Sequence, residues 1–124
     1  MGGPFIMSSA NANLLNQIIA KNNAIADTQR ITLLEKTKQA LKQLSREFSW
    51  KEIYFFGSIT QKGRFGKHSD VDIAIKGLNK YLHYRFVGQL SSMINRDVDV
   101  VRLEDNCVFK DYILQEGIRW TKEA

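Results

Sequence analysis

Asp70 and Asp72 stand one residue apart inside an apolar alternation, Val71, Ile73 and Ile75, that reads as a β-strand. Successive strand side chains point to opposite faces, so the two carboxylates share one face while the valine and isoleucines face a core. Neighbouring anions raise one another's pKa and carry a free-energy cost unless a cation neutralises them, and hard divalent ions such as Mg2+ prefer oxygen ligands of this kind. Asp97 and Asp99 repeat the pattern on a later apolar stretch. If that stretch neighbours the first, one of them completes a trio of carboxylates; Asp99, deeper in its strand, is the one assigned here. Three carboxylates around two metal ions about 3.5–4 Å apart is the arrangement that clamps the attacking and leaving oxygens in phosphoryl or nucleotidyl transfer.

Such chemistry needs a phosphate cradle. Gly57 follows the apolar run Ile53–Phe56 directly, where the absence of a Cβ lets backbone approach a phosphate, and the Ser58 hydroxyl can donate to its oxygens. Lys62, Arg64, Lys67 and Ser69 lie in the loop between Ser58 and Asp70 and could neutralise or hydrogen-bond an incoming triphosphate. A single Asp-x-Asp or a Gly-Ser pair says little. Their occurrence in order between apolar strands, with a second Asp-x-Asp downstream, points to one site. Other motifs fail: no Gly-Lys-Ser/Thr completes a P-loop, an EF-hand opening at Asp70 would have Ile75 and Tyr81 at its glycine and glutamate positions, and His68 and His83 do not make a zinc site. Tyr81, Tyr84, Trp50 and Trp120 are expected to cover the core rather than stack on bases.

The elements that position these residues follow from periodicity. Ser8 to Ala26, rich in Asn and Ala, predicts a short helix with Leu14, Leu15, Ile18 and Ile19 on one stripe. Asp27 or Thr28 then reads as the N-cap of a second helix with Leu34, Thr37, Leu41, Leu44 and Phe48 on one face. Strands are expected at Ile53–Phe56, at Val71–Ile75 ending before Gly77, and over Asp97–Leu103. Helices are expected over Tyr81–Ile94 and from Asn106 to Trp120, stopping near Gly117. The domain division is a leader with a possible extra helix at 1–26, offering a further contact for a partner, and one domain at 27–124. Residues 1–6 read as a leader outside the fold.

The chain of 124 residues, 44% apolar and 25% charged, has the size of one domain with one core and one site. Its apolar runs are too short to cross a bilayer, and Cys107, the only cysteine, rules out an internal disulfide, reads as a packing residue and suits a reducing cytoplasm. A formal charge of +5 and a pI near 9.4 favour an anionic partner, but the cations are dispersed, so a nucleic-acid arm is not expected.

The segments FGSITQKGRFGKHSDVDIAI, RDVDVVRL and YILQEGIRW resemble the minimal nucleotidyltransferase branch of the DNA polymerase β superfamily, over about residues 28 to 120. The resemblance implies an α/β (α+β) fold, a small mixed sheet of about three to four strands flanked by helices. It maps Gly57 and Ser58 to the family's Gly-Ser, and Asp70, Asp72 and Asp99 to its catalytic and metal-binding carboxylates. It also implies two Mg2+ ions, with Mn2+ as an alternative, and ATP as substrate. The chain departs from the pattern in having eleven residues between Ser58 and Asp70, and Lys62 before Gly63 where the family often has Arg. Little sequence is left over to recognise an acceptor, and relatives of this kind pair with HEPN-domain toxins, which they neutralise by adding AMP to a tyrosine. The resemblance thus implies a cytoplasmic antitoxin that modifies a HEPN-type partner. The other readings are a non-catalytic contact antitoxin and an enzyme adding nucleotides to RNA.

Overall fold

The computed structural model describes residues 9–105 and 107–122. Helix α1 spans Ser9–Leu44, strand β1 Glu52–Phe56, β2 Val71–Lys76, α2 His83–Ile94, β3 Val98–Arg102, α3 Cys107–Glu116 and β4 Ile118–Arg119. The strands form one mixed sheet in the order β3-β2-β1-β4. β1 and β2 are antiparallel with Phe56 opposite Asp72, whereas β2 and β3 are parallel with Asp72 opposite Asp99. A parallel neighbour cannot be reached by a hairpin, so α2 serves as the crossover that returns the chain to the same end of the sheet.

Alternation along the strands creates two apolar faces. Ile53, Phe55, Val71, Ile73, Ile75 and Val100 pack against α1 and α2, which contribute Leu41, Leu44, Phe86, Leu90 and Ile94. Phe86 is fully buried and meets Phe48 and Trp50 edge-on at 5.5 and 5.7 Å. The opposite face carries Tyr54, Phe56 and Ala74 under Ile113 and Phe109 of α3, with Phe56 and Phe109 stacked edge-to-face at 5.2 Å. Thr37, on the buried face of α1, satisfies its hydroxyl by donating to the Leu33 carbonyl at 2.7 Å.

Several expectations change. The two helices expected to meet at Asp27 or Thr28 are one continuous helix of 36 residues. A capping residue permits a helix start but does not force one, and no Gly or Pro lies between Ser9 and Leu44 to break the run. Asp27 instead pairs with Arg30 at 2.9 Å, and the Thr28 hydroxyl donates to the Ala24 carbonyl at 2.9 Å. The helix thus runs straight through residue 26. The C-terminal tail is a helix only to Glu116; Ile118 and Arg119 then pair with Phe55 and Tyr54 as a fourth strand too short to show a period. Trp50 and Trp120 pack on the core, 5.9 Å apart, but Tyr81 and Tyr84 are exposed, because Phe86 and Leu90 occupy the inward face of α2. The Cys107 side chain and residues 1–8 lie outside the described set. Among the described residues no helix is long and apolar enough to cross a membrane.

Replacing Phe86 with Ala should lower unfolding free energy by about 3–5 kcal/mol, because it leaves a cavity at the junction of α1, α2 and the sheet. Urea denaturation followed by tryptophan fluorescence measures this, since Trp50 borders the same cavity; a loss under about 1 kcal/mol would place the core elsewhere.

Candidate active site

Asp72 lies at the end of β2, flanked by Phe56 of β1 and Asp99 of β3. Residues in register share a face, so Asp72 and Asp99 project side by side on the face that α3 partly covers. Asp70 precedes β2 by one residue and is exposed, as is Asp99, while Asp72 is half-buried. The Asp72 carboxyl is pushed up to about 6 by burial first, then by the negative charges of Asp99 and Asp70. Asp97 sits just before β3, where its carbonyl accepts the Val71 amide at 3.0 Å. It lines a groove of about 460 Å³ with Lys67, His68, Ser69, Asp70 and Asn95, a groove that reaches Asp70 but not Asp72 or Asp99. Asp99 rather than Asp97 is therefore the register partner of Asp72 and a source of its charge repulsion.

Gly57 determines how close the turn comes to this carboxylate. Its φ of 73° lies in the left-handed region, and a Cβ built on it would overlap Asp72 Oδ2. It opens a single 3₁₀ turn, Gly57–Thr60, whose first amides have no side-chain cap. The Thr60 hydroxyl donates to the Gly57 carbonyl at 2.7 Å and Ile59 is fully buried, so the turn is anchored from below. Ser58 sits within it, half-buried. From α1, Arg30 donates to the Ile59 carbonyl at 3.0 Å while Asp27 holds its Nε.

The loop that follows is pinned at its far end by a second arginine. Arg96 donates to the carbonyls of Ser69 at 2.9 Å and Gly66 at 2.6 Å, and its guanidinium lies 4.8 Å from the Phe65 ring centroid. The Ser69 hydroxyl accepts the Gly66 amide at 2.9 Å, so this side chain shapes the loop's own turn. Lys62, Arg64 and Lys67 are exposed and enter no ion pair among the described residues. Arg30 and Arg96 escaped the sequence reading. Both act on backbone carbonyls, and such contacts leave no pattern in residue spacing.

Among the described residues no three His, Cys, Asp or Glu side chains converge as a ready-made metal cage. The donor set nonetheless fits a hard divalent cation: Asp70, Asp72 and Asp99 are all oxygen ligands, none is paired with a Lys or Arg among the described residues, and the Asp72 carboxyl is raised by burial first and by the charges of Asp99 and Asp70 second.

The family model described as "Polymerase beta, Nucleotidyltransferase" matches residues 35–122. No curated protein matches the chain. The fold is similar to a crystal structure of a toxin–antitoxin with AMP-PNP, at 27% identity and a TM-score of 0.60 over 68% of this chain and 72% of that one. It is also similar to a mutant MntA–HpeT toxin–antitoxin (24% identity, TM-score 0.57, 68% and 71% covered). A third likeness is to the toxin–antitoxin MntA–HepT (22% identity, TM-score 0.51, 68% and 69% covered). At these last two identities the likeness concerns the fold.

Two outcomes follow from the geometry. Gly57→Ala combines a disfavoured φ with a clash against Asp72, whereas Gly63→Ala has a similar φ of 80° but open space around it. In urea titrations the first should cost about 2–4 kcal/mol and the second about 1 kcal/mol; equal losses would remove the close approach from the explanation. Separately, a carboxyl raised from 3.8 to about 6 binds more protons folded than unfolded, so its charge lowers stability as pH rises through that interval. With chelator present, Asp72→Asn should therefore raise stability at pH 7.5 by about 1 kcal/mol, discounted for partial exposure, and by nothing below about pH 4. Thermal melts at the two pH values test this, and a variant destabilised at pH 7.5 contradicts it.

Proposed function

Because the chain belongs to the polymerase beta nucleotidyltransferase family, we propose that it transfers AMP from ATP to a hydroxyl of a partner protein, a tyrosine of a HEPN-type toxin, and thereby acts as an antitoxin. The observation that carries the reading is the crowding of Asp72 by Asp99 and Asp70 directly against the Gly57 turn. It supports a site that collects divalent cations beside a place for phosphate.

In this reading Asp70, Asp72 and Asp99 hold two Mg2+ ions, or Mn2+. Held by these carboxylates, such ions would supply charge neutralisation for the triphosphate and a lowered pKa for the acceptor hydroxyl. Gly57 admits the phosphates to the turn, and Ser58 donates to their oxygens. Lys62, Arg64 and Lys67 surround the β and γ phosphates with positive charge, while Ser69 keeps the loop in shape. The acceptor oxygen bonds to the α-phosphorus in line with the departing group. The bridging α–β P–O bond breaks, pyrophosphate leaves, and Asp99 takes the hydroxyl proton. The toxin–antitoxin with AMP-PNP, at 27% identity, supports both the nucleotide and a toxin as partner.

Incubation with α-labelled ATP, Mg2+ and a HEPN-type toxin partner should label the toxin. The label should fall at least about 100-fold in Asp70→Ala plus Asp72→Ala and vanish with EDTA. Neutralisation of the toxin that persists in the double variant, without label, would replace the enzymatic reading by contact inhibition; label on RNA alone would replace the acceptor.

A further inference from the structure

The amino-terminal half of α1 carries an apolar face that its own domain does not cover. Leu14, Leu15, Ile18, Ile19 and Ile25 are each between 42% and 57% exposed. At 100° per residue they fall within an arc of about 140°. Large aliphatic side chains grouped in this way leave a contiguous apolar strip in water, which marks an interface rather than ordinary surface. The family match begins at residue 35, so the strip lies outside the matched residues, and none of its side chains belongs to the carboxylate site.

Two features of the strip select its occupant. Leu15, Ile18, Asn22 and Ile25 follow the three-four-three spacing of heptad core positions, with Leu14 and Ile19 flanking them. Asn22 falls at the centre of the arc, in a core position where an apolar residue would bind more tightly. An amide donates and accepts at once, so an Asn facing the same Asn of another helix satisfies itself, and such a residue favours two parallel strands in register. The second feature is charge. From Ser9 to Ala26 the only charged residue is Lys21, at the margin of the strip, so nothing here steers a strongly acidic or basic partner. A neutral, apolar helix with a polar residue at the matching position is the complement required, and this chain supplies it.

We infer that the exposed face of α1 between Leu14 and Ile25 pairs in parallel with the same face of a second copy, forming a two-stranded coiled coil that dimerises the protein. The contact spans fewer than two heptads, from Leu15 to Ile25, and is smaller than a standard interface of about 1,600 Å², so the association is weak and concentration-dependent. The pairing does not depend on the proposed reaction: it concerns residues outside the carboxylate site and is read by mass rather than activity.

Sedimentation equilibrium of the full chain from about 1 to 300 μM should show a monomer–dimer equilibrium. Leu15→Glu plus Ile18→Glu should abolish the dimer while leaving the fluorescence and melting of the Trp50 and Trp120 core unchanged. Asn22→Leu should strengthen association or shift it to higher order. A monomer throughout the concentration range, or a dimer indifferent to the two glutamates, would overturn the proposal. So would a chain that is monomeric alone and whose Leu14–Ile25 amides gain exchange protection only when the toxin is added, since the surface would then belong to that partner.

Discussion

Electrostatic repulsion inside the mouth of the sheet is the constraint around which the remaining structure is arranged. A half-buried Asp72 with the exposed Asp70 and Asp99 beside it would ordinarily be avoided, because burial first and the neighbouring charges second raise the cost of its ionisation. Here the register between two parallel strands holds Asp72 and Asp99 together, and the crossover helix α2 keeps that register, anchored by Phe86 and Leu90. The stability lost to the repulsion is recovered in the apolar layer directly behind it, where Val71, Ile73 and Val100 are buried. The same strands thus carry the destabilising and the stabilising residues on alternate faces, so neither can be shifted by one position without exchanging them.

The two arginines complete this arrangement. Arg30 reaches from α1 to the near end of the phosphate-loop candidate, and Arg96 from the end of α2 to its far end. Each donates to backbone carbonyls of the loop, so the path of the loop is set without using its lysines and Arg64, which remain exposed. A loop that must meet a highly charged ligand keeps its charges available in this way.

The carboxylate pattern was legible because strand alternation is a strict period of two: the shared face of Asp70 and Asp72, the shared face of Asp97 and Asp99, and the core positions opposite them follow from counting. Which of Asp97 and Asp99 stands beside Asp72 was not decidable by counting, since both share a face; it follows from the strand register, a long-range property that sequence spacing does not encode. Local capping signals misled at Asp27, where a Ser/Thr/Asp type of side chain found partners inside a continuous helix. β4 was missed for the opposite reason: two residues carry no period, and the strand exists because β1 offers a free edge. Tyr81 and Tyr84 show that aromatic character alone does not assign a residue to the core when a neighbouring turn already supplies Phe86.

The anchoring of the loop at its two ends has an evolutionary corollary. A segment whose take-off and landing are clamped by Arg30 and Arg96 can vary in contour without moving Gly57 or Asp70, since extra chain bulges outward into solvent at small entropic cost. The eleven residues between Ser58 and Asp70 form a stretch of this kind. Length polymorphism in that stretch is then a neutral route by which related chains can sample new arrangements of loop cations, with the carboxylates behind them left undisturbed.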